Sequence, residues 1–383
     1  MKFIHTADWH LGRLFHQIHL TDDQAHVLDQ LVALAAAERP DVILVAGDLY
    51  DRAVPPPEAV ALLDRTWQKL ALELAIPVVA IPGNHDSATR IGYGAALLAR
   101  AGLHLVADFD AATHPVTIAG VDIFALPFAE PAEVRAWSGD ASVRDHASAL
   151  RVCIERMRPN FSARPRLLVA HAFVAGASRE SESERPLSVG GAGTVPADAF
   201  GDFAYVALGH LHAPQLVSPV CRYAGSPLKY SFSEADDDKS VVLGHLDSAT
   251  GALAEPRLVR LTPRRDVRNV EGALADLLAA APADPHREDY LRITLTDDGA
   301  LLNALGRLRE AYPNVLQLER RFLQNAPASA ASSGARRRDA TESELFSAFV
   351  HEALGAAPAA PELALFHEAL ADLQRADTES PAA

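Results

Sequence analysis

Side chains of the types that bind divalent metal ions recur in short segments of the first 212 residues. Carboxylate oxygen is a hard donor that suits manganese or magnesium, and imidazole nitrogen suits zinc, iron and similar ions. Two segments place donors two residues apart, so that both donors project to one face of an extended chain. A bridging aspartate could join two ions about 3.5–4 Å apart, which can clamp the attacking and leaving oxygens of a phosphoryl displacement. The candidate ligands are Asp8, His10, Asp48, Asn84, His171, His210 and His212.

Each of these segments follows an apolar, β-branched run that predicts a strand. In an open α/β sheet, ligands bind beyond the carboxyl ends of the strands, so these runs would bring all the candidate side chains together. Gly47, Gly83 and Gly209 precede ligands at the strand ends, where we expect them to supply the positive φ of a sharp turn. The predicted strands are residues 2–6, 42–46, 78–81, 167–170 and 205–208.

Each segment alone is weak support for a metal site. Asp8-x-His10 is a pattern that occurs by chance, Gly83-Asn84-His85-Asp86 could be an ordinary turn, and a lone His171 is more often a hydrogen-bonded core residue. The segments together favour metal binding, because every one of them occupies the same position relative to its predicted strand. The sequence therefore predicts a two-metal site.

The order of the segments resembles the calcineurin-like metallophosphoesterase superfamily. Residues 3–12, 181–191 and 223–227 resemble more closely the SbcD family, the nuclease subunits of bacterial SbcCD complexes. These are relatives of the archaeal and eukaryotic Mre-type double-strand-break nucleases. The resemblance covers essentially the whole chain. It implies an α/β fold: a four-layer β-sandwich flanked by helices, with a small α+β capping domain and C-terminal helices.

The resemblance also implies roles for the candidate ligands. Asp48 would be shared between the ions. Manganese would be the preferred metal, but the general order of affinities of protein sites for divalent metals does not favour manganese and leaves zinc or iron as alternatives. An exchange of His210 and His212 between the ions would leave the chemistry unchanged. One ion would be held by Asp8, His10, Asp48 and His212, and the other by Asp48, Asn84, His171 and His210.

His85 directly follows a candidate ligand and is expected to be the general acid for the leaving 3′ oxygen. Archaeal relatives carry a histidine three residues after the bridging aspartate, where this chain has Asp51. We hypothesise that Asp51 orients His85 and favours its protonated form, while Arg52 contacts a phosphate. An ordinary surface ion pair is the alternative for Asp51 and Arg52, and a turn-capping role is the alternative for His85.

The composition bears on partners and location. The net charge is −15, whereas a DNA-binding protein usually carries a basic patch and gains most non-specific affinity by neutralising phosphates. A partner protein is therefore expected to supply most of the affinity for DNA. Cys153 and Cys221 are expected to be reduced thiols of a cytoplasmic, nucleoid-associated protein. No signal peptide is expected, and no apolar run reaches the roughly 20 residues of a membrane span.

The chain is expected to contain two or three domains. A capping box at Thr21-Asp22-Asp23-Gln24 predicts a helix at residues 21–38, followed by one at 56–74. Helices are predicted at 270–280 and 301–311, and strands at 240–246, 257–261, 290–295 and 315–322. The predicted divisions are a nuclease domain at 1–263, a capping domain at 264–324, a flexible linker at 325–340, a helical docking segment at 341–375 and a disordered tail at 376–383.

The docking segment contains two amphipathic patterns. Two short helices are not expected to bury their apolar faces well against each other, so we expect them either to bind a partner's helices or to fold back on the nuclease. The resemblance implies that the partner is SbcC, an SMC-like ATPase, in a heterotetramer with two nuclease subunits. A contact between the nuclease subunits would use residues 59–67 and 92–100. In the linker, residues 336–338 would touch DNA phosphates or form a solvated charge run.

The preferred function is a manganese-dependent DNA exonuclease and endonuclease that opens hairpins and trims double-strand ends with an ATPase in repair and recombination. One rival is a phosphoesterase with a small substrate, such as a cyclic nucleotide. That rival leaves the linker and tail unexplained. A second rival is an inactive scaffold for DNA ends, which would require a broken set of ligands, and every expected ligand position is occupied.

Overall fold

The computed structural model describes residues 1–184, 193–298, 301–321, 341–354 and 357–379. The chain divides into two compact units, Met1–Arg268 and Asn269–Ala383. The predicted linker at 325–340, with its arginines at 336–338, lies outside the described residues, as does part of the family-like stretch at 181–191. The domain boundaries drawn from the sequence stay predictions.

The first unit contains two six-stranded sheets. In the first sheet, four successive strands beginning with Lys2–Thr6 run parallel, and the remaining two complete one edge in antiparallel pairing. All five residues of Val42–Ala46 are buried, as expected for an apolar strand in a covered parallel sheet. The strand order across the first sheet is Arg257–Arg260, Ser240–His245, Lys2–Thr6, Val42–Ala46, Val78–Ile81 and Leu103–Leu105.

The second sheet has a similar plan, with four parallel strands in its centre and an antiparallel strand at each edge. Its apolar face packs on the first sheet: the ring of Tyr205 lies 4.9 Å from that of Phe3, and one buried core contains residues of both sheets. The expected α/β sandwich is therefore confirmed. The strand order is Gln215–Leu216, Cys221–Tyr223, Tyr205–Gly209, Arg166–His171, Val121–Leu126 and Val116–Ile118.

Two short strand pairs, Leu14–Phe15 with Ile18–His19 and Phe173–Val174 with Thr194–Val195, supplement the sheets. The helices of the first unit are mostly the connections between parallel strands, as such sheets require. They are Thr21–Glu38, Pro57–Trp67, Ala88–Ile91, Ala95–Leu98, Phe109–Ala112, Pro131–Ser138 and His146–Met157, with a π-helix at Gln68–Glu73.

The helix at Thr21–Glu38 has the predicted bounds, but the predicted capping box is wrong. The N-cap residue is Leu20, and no side chain caps the helix. The Gln24 amide instead accepts a hydrogen bond from the Gly12 N–H (3.1 Å) and donates one to the carbonyl of His10 (2.7 Å). Gln24 therefore stabilises the segment of His10 and Gly12 that follows the first strand.

The second unit contains a three-stranded sheet and two helices around its own core. The predicted start of the helix at 270–280 was wrong. Val267–Gly272 is a strand, and the helix begins only at Leu274. The helix predicted at 301–311 begins at Ala304, while the strand at Tyr290–Leu295 has the predicted bounds. The elements in chain order are Val267–Gly272, Leu274–Ala280, Tyr290–Leu295, Ala304–Ala311 and Val315–Arg320.

Two helices follow, Glu342–Leu354 and Ala360–Glu379, and the second extends into the segment predicted as a tail. Their apolar faces meet only in part, because Leu345 and Phe349 of the first helix stay exposed. The rings of Phe346 and Phe366 stack with centroids 4.2 Å apart, and Ser343 Oγ lies 2.7 Å from His367 Nε2. Among the described residues, no helix is long and apolar enough to cross a membrane.

Candidate metal centre

The structure brings all seven predicted ligands to the carboxyl ends of the central strands of both sheets. In one half of the cluster, Nε2 of His10 and Nε2 of His212 face each other across 3.1 Å. Donor atoms of Asp8, His10 and His212 all lie within 4.8 Å of one another. All three side chains are buried.

In the other half, Oδ1 of Asn84 lies 2.9 Å from Nε2 of His171 and 3.3 Å from Nδ1 of His210. Oδ2 of Asp48 lies 3.6 Å from Nε2 of His171 and 3.5 Å from Nε2 of His10. One carboxylate oxygen of Asp48 therefore faces both halves of the cluster.

The backbone at four of these residues lies in the left-handed region, which side chains other than glycine rarely adopt. The φ values are 55° at Asp8, 45° at His10, 49° at Asp48 and 110° at His210. Main-chain hydrogen bonds hold this conformation, from Asp8 N–H to the carbonyl of Gly47 (3.0 Å) and from His10 N–H to that of Asp48 (2.9 Å). Such local strain tends to cluster at functional sites, where the surrounding fold enforces it.

The three glycines at the strand ends serve different needs. Gly47 has the expected positive φ, at 90°. At Gly83 and Gly209 the expectation was wrong, because close packing rather than φ excludes a side chain there. A Cβ on Gly83 would lie 2.2 Å from Oδ1 of Asp48, and one on Gly209 would lie 1.8 Å from the carbonyl oxygen of Ala46.

The electrostatics of the cluster fit divalent cations. Burial lowers the pKa of His171 to about 4 and also lowers the pKa of His10, His210 and His212, so these rings are neutral at neutral pH. Burial and the nearby charge of Asp48 raise the pKa of Asp8. Neutral imidazoles with lone pairs beside two buried carboxyls form a donor set that a divalent cation would satisfy.

His171 is oriented by the main chain. Its Nδ1 lies 2.9 Å from the carbonyl oxygen of Ala46, so the Nδ1–H donates there and the Nε2 lone pair faces the cluster. Such a bond from the second nitrogen usually fixes the tautomer of a metal-binding histidine. The ligand roles of all seven residues nevertheless stay predictions.

The predicted catalytic residues lie at the rim of the cluster. His85 is buried, its Nδ1 lies 2.9 Å from the main-chain carbonyl of Asp51, and its Nε2 lies 3.9 Å from Oδ2 of Asp48. The carboxylate of Asp51 forms an ion pair with Arg13 at 2.8 Å. Arg52 is exposed and forms no ion pair within the described part of the chain. The hydrogen bond to His85 therefore comes from the backbone of Asp51, not from the carboxylate that the hypothesis invoked.

Sequence reasoning missed a second layer of polar residues around the cluster. The Asp86 carboxylate accepts hydrogen bonds from the N–H groups of Gly83, Leu49 and Tyr50, each at 2.9 Å. Its position in the Gly-Asn-His-Asp segment was the available signal. No pattern pointed to Glu234, which contacts His212 across the fold.

A family profile described as calcineurin-like phosphoesterase matches residues 1–214. A second, described as type 5 capsule protein repressor C-terminal domain, matches residues 263–353.

Two curated relatives are named as SbcD-type subunits of the nuclease SbcCD. The one from Staphylococcus epidermidis is 35% identical over 83% of this chain and 85% of its own length. The one from Staphylococcus saprophyticus is 36% identical over 83% of this chain and 84% of its own. Among solved structures, a dimetal phosphatase from Danio rerio aligns with 68% of this chain and 99% of its own, at 11% identity and a TM-score of 0.39. That structural likeness is too distant to bear on function.

Proposed function

The chain belongs to the calcineurin-like phosphoesterase family and, within it, to the SbcD nuclease subunits, and we propose that it hydrolyses DNA phosphodiester bonds at a centre of two divalent ions. The observation that carries the proposal is the position of Asp48 Oδ2, 3.5 Å from Nε2 of His10 and 3.6 Å from Nε2 of His171. A carboxylate that faces both halves of a ligand set is suited to bridge two ions.

The mixed set of carboxylate, amide and imidazole donors supports a divalent transition metal, and we propose manganese. Divalent ions bound there would lower the pKa of a water molecule and neutralise the charge that develops on the phosphate. Asp48 is shared in the proposed arrangement. The first ion is assigned to Asp8, His10, Asp48 and His212, and the second to Asp48, Asn84, His171 and His210.

His85 is the proposed general acid. Its Nδ1–H donates to the Asp51 carbonyl, so its Nε2 points toward the cluster, where the leaving 3′ oxygen would lie. In its protonated form the ring would deliver the Nε2 proton to that oxygen. A positioned acid of this kind typically contributes about 10²–10⁴-fold to the rate.

The proposed substrates are double-strand ends, trimmed by exonuclease activity, and hairpins, opened by endonuclease activity. The curated relatives are named as parts of SbcCD, which supports an SbcC-type SMC-like ATPase as the partner. The net charge of −15 supports the same division of labour, because an acidic nuclease gains little affinity from DNA phosphates by itself. We propose a heterotetramer with two copies of each subunit, with docking through the two C-terminal helices.

The test is degradation of end-labelled duplex and hairpin DNA by the full chain with manganese, compared with His85→Ala. The expected result is a loss of cleavage of about 10²–10⁴-fold at unchanged metal content. His114→Ala is a matched control, because His114 is exposed and is not one of the clustered residues. Turnover of a small phosphodiester without any DNA cleavage, even with the ATPase added, would instead favour a small-molecule phosphoesterase.

A further inference from the structure

A buried hydrogen-bond chain runs from His212 away from the metal cluster. Nδ1 of His212 lies 2.7 Å from Oγ of Ser183, and that hydroxyl lies 2.5 Å from Oε1 of Glu234. Oε1 of Glu234 also lies 3.3 Å from the same Nδ1. Glu234 is 1% exposed, and the mechanism proposed above does not use it.

The direction of each bond follows from the chemistry of the carboxylate. Ionised Glu234 can only accept hydrogen bonds, so the Ser183 hydroxyl donates its proton to Oε1. The oxygen of Ser183 is then the acceptor for Nδ1–H of His212. With its proton on Nδ1, the ring presents the Nε2 lone pair, and it is Nε2 that lies 3.1 Å from Nε2 of His10.

A buried lysine keeps the carboxylate charged. Nζ of Lys239 lies 2.6 Å from Oε2 of Glu234, and it also donates to the carbonyl of His212 (2.8 Å) and to Oγ of Ser226 (3.1 Å). This buried ion pair favours the ionised form of Glu234, which can only accept hydrogen bonds.

We propose that Glu234 is a positioning residue for His212: acting through Ser183, it keeps the ring proton on Nδ1 so that Nε2 can bind a cation. The inference rests on the proposed metal centre. Outer partners of metal-binding histidines commonly fix the tautomer in this way, and their loss typically costs about 10–100-fold in metal affinity. The contrast with His171 is informative, since its partner is a backbone carbonyl that no substitution can remove.

The first readout is the tautomer itself, measured by ¹⁵N–¹H correlation spectra of the histidine rings in the metal-free full chain. We expect Nδ1–H at His212 in the wild type and a population of Nε2–H in Ser183→Ala and Glu234→Gln. Ser181→Ala is the control for the loss of a neighbouring hydroxyl, because Ser181 Oγ lies 3.0 Å from Oε1 of Glu234 and 2.8 Å from Oγ of Ser183 but is one hydrogen bond further from His212. The control is expected to keep Nδ1–H.

The second readout is calorimetric titration with Mn²⁺ alone. We expect one of the two ions to bind about 10–100-fold more weakly to Ser183→Ala and Glu234→Gln, while Ser181→Ala binds as the wild type does. Because Glu234→Gln removes the nearer of the two carboxylates that pair with buried Lys239, its melting temperature is measured without metal, and Glu234→Gln/Lys239→Met replaces it if it does not fold. Unchanged tautomer and unchanged affinity in the folded variants would overturn the inference.

The two readouts separate this inference from the proposed function. A wild-type chain that binds no Mn²⁺ would remove the proposed metal centre. The tautomer spectrum of the metal-free chain would still decide whether Glu234 controls His212: retention of Nδ1–H in both variants refutes that role, and its loss supports it.

Discussion

The main-chain carbonyl oxygen of Asp51 lies 2.9 Å from Nδ1 of His85. The bond aims the opposite ring nitrogen at the cluster and is independent of the side chain at position 51. The orientation of His85 can therefore be tested separately from the proposed electrostatic effect of the Asp51 carboxylate. The Asp51 carboxylate is paired with Arg13, yet one of its oxygens lies within 4.8 Å of ring nitrogens of both His85 and His10.

Asp51→Asn tests the proposed tuning without removing the backbone carbonyl that orients His85. The substitution keeps the carbonyl and removes a negative charge that would favour the protonated ring of His85. We expect the maximal rate to stay within about tenfold of wild type, far from the 10²–10⁴-fold loss expected without the general acid. The alkaline limb of the pH–rate profile should move to lower pH, because the acid loses its proton earlier. An unmoved profile would show that Asp51 does not tune His85.

Asp86→Asn should destabilise the protein. The Asp86 carboxylate accepts three main-chain hydrogen bonds that join the loop carrying Asp48 to the loop carrying Asn84. An asparagine amide replaces one acceptor oxygen by a donor, so at least one N–H loses its partner. Leaving such a group unsatisfied typically costs about 1–3 kcal/mol. Denaturant unfolding of wild type and variant above pH 7, where the carboxyl is ionised, measures the difference, and equal stabilities there would contradict it.

The same pair of proteins gives a pH prediction for the metal-free chain. Removal from water and the charge of Asp48 raise the pKa of Asp86 to about 7 from an ordinary value of about 4. A raised carboxyl pKa contributes stability that is complete at low pH and is lost as pH rises through the folded value. The stability of wild type relative to Asp86→Asn should therefore decline between about pH 4 and pH 7. A difference that grows over this range would contradict the raised pKa.

The sequence predicted the first unit well for a physical reason. Strands such as Val42–Ala46 and Val78–Ile81 are buried apolar runs in a parallel sheet, and such runs are visible without any knowledge of their neighbours. The prediction was wrong at 270–272, where Val270 was read as part of the helix that begins at Leu274. A short strand runs almost directly into a short helix here. Neither element is long enough for the alternation of a strand to be told apart from the periodicity of a helix in the sequence.

The sequence could predict which residues of the site lie together only where those residues directly follow a predicted strand. The convergence of the seven candidate ligands followed from strand ends alone. The contact of Ser183 with Glu234 could not be predicted, because it joins a turn residue to the end of a short 3₁₀ helix 51 positions along the chain. The close approach of the Ala46 carbonyl oxygen to Gly209 could not be predicted either, since the two residues meet only when the two sheets pack together.

Gly209→Ala should damage both the fold and the site. Its Cβ would lie 1.8 Å from the carbonyl oxygen of Ala46, the same oxygen that accepts the hydrogen bond from His171. The backbone must shift, so the loss should exceed the ~0.5–3 kcal/mol of most substitutions. Gly201→Ala is the control, because its Cβ would meet its nearest neighbour, the carbonyl oxygen of Asp198, at an ordinary 3.5 Å. Thermal melting of both variants checks this, and similar melting temperatures would refute it.

The last prediction concerns the two C-terminal helices. Phe346 and Phe366 stack on each other, whereas Phe349 and Leu365 are 67% and 69% exposed. Exposed apolar side chains on helices that pair with each other through other residues are suited to bind a partner's helices. Phe349→Asp/Leu365→Asp should therefore weaken binding of an SbcC-type ATPase by about 30-fold or more, the effect of losing a 2 kcal/mol hot spot.

The measurement is the dissociation constant for the purified ATPase, with hydrolysis of a small phosphodiester assayed in parallel. Hydrolysis should be unchanged, since these helices contribute no residue to the metal cluster. Leu302→Asp is the matched control, because Leu302 is a 91% exposed leucine outside both helices. Docking through the helices would be refuted by equal losses in the variant and the control, or by wild-type affinity in the variant. A loss confined to Phe349→Asp/Leu365→Asp would assign the ATPase contact to this face.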